Sequence, residues 1–204
     1  MPPPAHIDPA AEDLSRVVAD REAIRRVNRQ RFDMEQLDAV VRVVPEEHLI
    51  VGYKDVRADE FWARGHFPGQ PLLPGVLMCE AAAQLGSYYA VTQGVIDPEK
   101  EMLVFGGLED VRFRGVVRPG DRLVLASKGL RLKRRQQVFS VQGFVGATMV
   151  FHGDVIGVPL ERPAAGGGRV RKPARLPLEA LQPFLLETSP PLPLWERGLG
   201  GEGN

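Results

Sequence analysis

The run from Gly75 to about Thr92 constrains this chain more than any other feature. It reads Gly-Val-Leu-Met-Cys-Glu-Ala-Ala-Ala-Gln-Leu-Gly-Ser-Tyr-Tyr-Ala-Val-Thr, and wound at 3.6 residues per turn it is apolar on nearly all sides. A helix of that kind has no solvent face and belongs inside a core. The rest of the chain must therefore surround it. One carboxylate, Glu80, sits in the middle of the run, where an unpaired acid is costly to bury. A sequence that places it there either satisfies it structurally or uses it.

The surrounding material is β-rich. Ala39–Val44 and His48–Val56 form two short strand-like runs separated by Pro45-Glu46-Glu47. Three longer stretches follow the helix: Met102–Val116 with a bend at Gly106-Gly107, Asp121–Arg135 after a Pro119-Gly120 turn, and Gln137–Val158 broken near Gly146. The pattern predicts an α+β chain whose antiparallel sheet wraps one long helix. No internal repeat is present. Residues 1–21 form an N-terminal extension, helical from about residue 9. Asp8 suits the cap and Pro9 the first turn, and Leu14, Val17, Val18, Ile24 and Val27 recur at helical spacing to about Asn28. Residues 22–160 form the main domain. Residues 161–204 hold seven Pro and seven Gly without a period and read as a disordered low-complexity tail, with one short helix near Leu176–Leu186.

Composition removes several classes. Lys plus Arg and Asp plus Glu balance at 26 each, so no overall basic field points to nucleic acid. Cys79 is the single cysteine, which excludes a disulfide framework within the chain and suits a reducing cytoplasm. No apolar run approaches the roughly 20 residues of a membrane span. The opening Met-Pro-Pro-Pro-Ala-His lacks the basic and apolar regions of a signal peptide.

Chemistry concentrates just before and within the core helix. His66-Phe-Pro-Gly-Gln-Pro-Leu-Leu-Pro-Gly75 is a loop whose prolines and glycines fix where the backbone bends, and Glu80 follows fourteen residues after His66. The segment from His66 through Glu80-Ala-Ala-Ala-Gln84 resembles the signature of the 3-hydroxyacyl-[acyl-carrier-protein] dehydratases of bacterial fatty acid synthesis, of the type with glutamate as the second catalytic residue. A second similarity lies in Phe105-Gly-Gly-Leu-Glu-Asp-Val-Arg-Phe-Arg114 followed by Val117-Arg-Pro-Gly-Asp121. A weaker third is Arg31-Phe32 with Leu37-Asp38. Together they span roughly residues 22–158. Asp33-Met34-Glu35-Gln36 replaces an apolar Pro-Phe-Leu-Leu segment of that family, and Ala39 stands where an arginine is usual.

The resemblance implies a hotdog fold, a hydro-lyase activity, and acyl carrier protein as the bearer of the substrate thioester. It also implies a homodimer, or a trimer of such dimers, in which His66 of one subunit faces Glu80 of the other. Local geometry agrees. Glu80 lies five residues past Gly75, roughly 7 Å along the helix axis, and the Pro-restrained loop does not easily double back over that distance. Within one chain the two side chains should lie beyond hydrogen-bond reach.

The chemistry itself needs three groups. A base must take the weakly acidic C2 proton, and histidine, with an ordinary pKa near 6.5, is largely neutral at cytoplasmic pH. An acid must protonate the departing hydroxyl, and Glu80 can do so directly or through a water. A donor must hold the charge that builds on the thioester oxygen. Gly75 N–H, at the positive end of the helix and without an intrahelical acceptor, is placed for that. No metal or organic cofactor is required.

Bland readings stand beside these. His66 can be a loop residue, and Glu80 a buried acid bonded to amides. Gln84, one turn on from Glu80, either orients it or makes a core hydrogen bond. Cys79 reads as a small buried apolar side chain. His152 and Asp154 share a strand face without forming a metal site, and His6 and His48 are incidental. Lys128, Arg131, Lys133, Arg134 and Arg135 form a basic cluster that either docks an acidic carrier protein or is a solvated, charge-protected edge. Rival functions are another hotdog acyl-thioester enzyme, such as a thioesterase, a dehydratase–isomerase or a specialised polyketide-type dehydratase, and a non-catalytic acyl-binding subunit.

Overall fold

A computed structural model describes residues 1–161. The tail and the expected helix near Leu176–Leu186 lie outside the described residues.

Among the described residues, six antiparallel strands form one sheet. β1 (Ala39–Val44) and β2 (Leu49–Asp55) make a hairpin through a short 3₁₀ turn at Pro45–Glu47. The helix Gly75–Thr92 follows, then β3 (Glu101–Phe113), β4 (Arg122–Lys133), β5 (Gln136–Val145) and β6 (Thr148–Glu161). The spatial order is β1-β2-β4-β5-β6-β3, so β1 and β3 are the edges. The glycines expected to bend β3 do so as a bulge: the β3–β6 register shifts between Phe105 and Gly107.

Strand alternation divides the apolar residues between two faces. Ile50, Leu123 and Leu125 turn inward onto the long helix, joining Leu77, Ala81, Leu85 and Tyr89. Leu49, Val51, Val124 and Ala126 turn outward. Fully burying a leucine such as Leu85, 0% exposed, contributes about 1.5–3 kcal/mol. The wrapped helix predicted from its uniform apolarity is therefore the centre of the core.

The outward face is covered by the N-terminal extension, and here the sequence expectation fails. Residues 9–20 are not helical. The first helix, α1, spans only Arg21–Val27, with Asp20 as its cap accepting from Ala23 N–H at 2.8 Å. The long helix is α2. The cause is competition from the sheet. Val18 and Ala19 donate their N–H groups to the Val40 carbonyl, and Val40 N–H donates to Ala19, so this stretch pairs with β1. Asp8 accepts from Ala10 N–H at 3.0 Å, a local turn instead of a helix cap. Ile7 is buried against Val41, Val51 and Phe144. His6 N–H donates to Gln142 Oε1 at 2.7 Å, Gln142 Nε2 donates to the Pro4 carbonyl at 2.9 Å, and Arg42 pairs with Glu12 at 2.6 Å. Helical periodicity in this segment is outweighed by burial of one isoleucine and a β-bridge.

Candidate active site

His66 is set mainly by the backbone of its own loop. The Phe67 and Gln70 N–H and C=O groups close on each other at 3.1 and 2.9 Å. This tight turn needs Gly69 at φ +75°, in the left-handed region. The turn brings Leu72 back under His66: Leu72 N–H donates to the His66 carbonyl at 2.8 Å, and His66 Nδ1 lies 2.8 Å from the Leu72 carbonyl. A carbonyl can only accept, so Nδ1 carries a proton, and in the neutral ring Nε2 is the nitrogen with the free lone pair. The Phe67 ring stacks on the imidazole at 4.1 Å. Leu73 N–H, bonded to the Val117 carbonyl, pins the loop's exit to the segment after β3.

Glu80 is set by side chains. Its Oε1 accepts from Gln84 Nε2 at 2.8 Å and from Gln30 Nε2 at 3.2 Å. Gln84 is 1% exposed and its amide cannot flip. Nε2 also donates to the Met34 carbonyl at 2.7 Å, while Oε1 accepts from Gln36 N–H at 2.9 Å. Both donors fall on Oε1, which leaves Oε2 without a hydrogen-bond partner among the described residues. The departure at Asp33–Gln36 is thereby explained: this segment serves the site through its backbone carbonyl and amide, which tolerate a change of side chain.

Gly75 opens α2, so its N–H has no acceptor within the helix. A Cβ there would meet the half-exposed Phe113 ring at 2.6 Å and push it aside. Between His66 and Glu80 there is no hydrogen bond or ion pair within the chain; each has the partners just given.

A cavity of about 250 Å³ adjoins Glu80, lined by Ala83, Leu103, Phe139 and Ile156 among others. It shares Gln30, Ser87, Leu103 and Val104 with a second cavity of about 270 Å³ that continues toward Val91. Glu80, Ala83, Ser87 and Val91 fall at three- and four-residue intervals, so one face of α2 forms a mostly apolar wall beside the acid. A larger space of about 600 Å³ lies between the N-terminal extension and β1 and includes neither His66 nor Glu80. We attach the chemistry to the smaller space because it holds the carboxylate.

The remaining expected residues lie apart. Lys128, Arg131 and Lys133 are on β4, with Arg134 and Arg135 in the turn to β5. Leu132 and Lys133 line a space with Gln93 and Val95, beyond the C-terminal end of α2. The eighteen residues of α2 span roughly 27 Å, so the cluster is not brought to His66. Exposed Arg64, Arg114 and Arg118 are closer to the loop: Arg64 precedes Gly65, and Arg114 and Arg118 flank Phe113 and Val117, which touch Gly75 and Leu73. His152 Nδ1 accepts from Arg114 Nε at 3.1 Å. Cys79 is buried, and burial pushes its thiol up to about 11. Among the described residues no group of three His, Cys, Asp or Glu could hold a metal ion, and no helix is long and apolar enough to cross a membrane.

Sequence reasoning missed the Leu72 carbonyl, Gln30, and the backbone of Met34 and Gln36. Gln30, Met34 and Gln36 carry no local signal, since their roles depend on contacts across about fifty residues, and the Leu72 carbonyl is a backbone group that any residue would supply.

Comparison with known proteins is consistent with this geometry. The FabA-like domain matches residues 28–154. A 3-hydroxyacyl-[acyl-carrier-protein] dehydratase FabZ of Syntrophobacter fumaroxidans is 41% identical over 128 residues, covering 62% of this chain and 84% of that protein. A protein of the same name from Moorella thermoacetica is 35% identical over 137 residues, covering 67% and 94%. Among solved structures, a mutant of the thioesterase PA1618 from Pseudomonas aeruginosa matches with a TM-score of 0.54 at 14% identity, covering 72% of this chain and 98% of that one. At that identity the likeness speaks for the fold alone.

Proposed function

The chain belongs to the FabA-like domain family, and from that premise we propose that it is a 3-hydroxyacyl-[acyl-carrier-protein] dehydratase. This hydro-lyase removes water from a 3-hydroxyacyl thioester to give the trans-2-enoyl thioester, in fatty acid or related acyl-chain synthesis. The observation that carries the reading is the state of His66. Its Nδ1–H is committed to the Leu72 carbonyl, which leaves Nε2 as a base.

In this mechanism Nε2 takes the C2 proton, and the electron pair moves toward the thioester carbonyl. Gly75 N–H, backed by the positive end of α2, holds the charge on the oxygen. Electrons return to form the C2–C3 double bond as the C3–O bond breaks. Glu80 delivers a proton from Oε2, directly or through a water, and the hydroxyl leaves as water. The chain returns to its starting state when the proton on His66 is passed back to Glu80. Gln84 orients Glu80. The apolar wall of α2 beside Glu80 takes the acyl chain.

The working unit is a homodimer with shared sites. Supporting this, His66 and Glu80 have separate partners within one chain. The edge strand β3 and the segment after it also leave Phe105, Leu108, Phe113 and Val116 between 44% and 50% exposed. An apolar edge of that kind calls for a second chain. Carrier-protein docking belongs to basic side chains, with Arg64, Arg114 and Arg118 better placed for the thioester to reach His66 than the Lys128–Arg135 cluster. The single buried cysteine fits a cytoplasmic enzyme.

The test is hydration of a crotonyl-type thioester, followed by loss of the enoyl absorbance. Purified protein should turn over. Absence of turnover together with hydrolysis of the thioester would move the assignment to a thioesterase. For the shared site, His66→Ala and Glu80→Gln subunits are mixed. A mixed dimer holds one intact site, so activity should partly return. No recovery after verified subunit exchange would refute sharing while leaving the dehydratase assignment intact.

A further inference from the structure

Lys54, on β2, is fully buried at 0% exposure. Burying an ammonium costs several kcal/mol unless it is paired and hydrogen-bonded. Its Nζ donates to Glu60 Oε2 at 2.7 Å. Glu60 is itself fully engaged. Oε1 accepts from Arg57 N–H at 2.9 Å, Oε2 also accepts from the Trp62 indole N–H at 3.1 Å, and its carbonyl accepts from Ala63 N–H at 2.9 Å. Trp62, 4% exposed, then holds the catalytic loop, because its carbonyl accepts from Gly65 N–H at 3.0 Å and from His66 N–H at 2.9 Å. A continuous path thus runs from an ammonium inside the sheet, through a carboxylate and a buried indole, to the backbone of His66.

Such a pair is a poor device for stability alone. Neutral or apolar residues of similar volume commonly replace a buried ion pair without loss, whereas removing one partner is severe. What the pair supplies is position. Glu60 is held at one height against β2 by Lys54, and the Trp62–His66 turn rests on Glu60. We propose that Lys54 and Glu60 are positioning residues that set where His66 Nε2 meets the C2 proton. The proposal rests on the reading of His66 as the base, but its geometric part can be measured without catalysis.

The experiment compares the parent protein with the Lys54→Met/Glu60→Gln double variant in three readouts. Melting temperature should stay within a few degrees of the parent, since both partners are neutralised together. Turnover should fall about 10- to 100-fold with KM within about twofold, the pattern of a misplaced catalytic group. In ¹⁵N-labelled protein, the His66 Nδ1–H resonance, held by the Leu72 carbonyl in the parent, should shift or exchange away. Parental turnover with an unchanged resonance would overturn the proposal, and so would a turnover loss that merely tracks loss of folded protein. If the double variant does not fold, Trp62→Phe carries the test. It deletes the indole N–H donor to Glu60 together with part of a buried ring, so kcat is compared where the variant is fully folded. It should fall about threefold or more at unchanged KM with the His66 Nδ1–H resonance shifted, while parental kcat refutes the proposal. A parent without hydratase activity would sink the dehydratase reading alone, and the resonance comparison would still decide the positioning.

Discussion

His66 and Glu80 lie fourteen residues apart and are held in opposite ways. The His66 turn is local: the loop from Phe67 to Leu72 folds on itself, and the imidazole is anchored to a carbonyl six residues on. Glu80 is anchored remotely. Gln84 is one turn away, but what holds Gln84 is the Met34–Gln36 backbone, and the second donor is Gln30. A group held by its own stretch of chain, here from Lys54 to Leu72, depends on few distant residues. A remotely built one inherits every displacement of the segment that clamps it.

The largest effects should come from the two groups themselves. His66→Ala and Glu80→Gln should each cut turnover by about 10²–10⁴-fold with the fold retained. Circular dichroism and the hydration assay check this, and a variant keeping more than about a tenth of parental activity would remove that residue from the chemistry. Next comes Gln84→Leu. It removes the acceptor of Gln36 N–H, which is left unpaired on a buried residue at a cost of about 1–3 kcal/mol, and it removes the donor to the carbonyl of the exposed Met34. Turnover should fall about tenfold or more, and denaturant unfolding should register the loss.

On the His66 side the corresponding change is Gly69→Ala. There is open space around a Cβ at this position, so the penalty is the left-handed backbone alone, about 1–2 kcal/mol. Activity should drop less than for Gln84→Leu. If it drops more, the local loop is the weaker of the two anchors and their ranking reverses. Gln30→Ala removes one longer bond on a half-buried side chain and should cost only a few-fold in kcat, consistent with a net hydrogen-bond contribution of about 0.5–1.5 kcal/mol.

The smallest effect belongs to Cys79. It neighbours Glu80 in sequence but is buried, and its thiol is pushed up to about 11. Because burial favours the neutral thiol, little reactive thiolate forms below that pH. Iodoacetamide near neutral pH should leave the folded protein unmodified and label it only after unfolding. Cys79→Ala should keep turnover within about twofold, in contrast with its neighbour.

Legibility in the sequence followed the range of the interactions. α2 and the strand pairs were readable because uniform apolarity, two-residue alternation and Pro-Gly turns act within a few residues. The first twenty residues were misread for the complementary reason. Leu14, Val17 and Val18 keep helical spacing, yet the backbone of Val18 and Ala19 pairs with Val40, and Ile7 and Leu14 pack on the sheet's outer face. Periodicity cannot report a partner that lies across the sheet. The basic cluster reads as one unit along the chain and stands at the far end of α2 from His66 in space.

What the sequence determined by itself was the central helix, the wrapping sheet, the His66 loop and the acid at position 80, because each follows from local backbone restraint and the cost of exposing apolar surface. What only the tertiary structure decided was the clamp on Glu80, the tautomer of His66, the path from Lys54 to Trp62, and the strap across the outer face. The clamp, the path and the strap join groups whose separation is set by the packed sheet, and the tautomer is set by how the loop closes on the Leu72 carbonyl, so no periodicity along the chain encodes any of them.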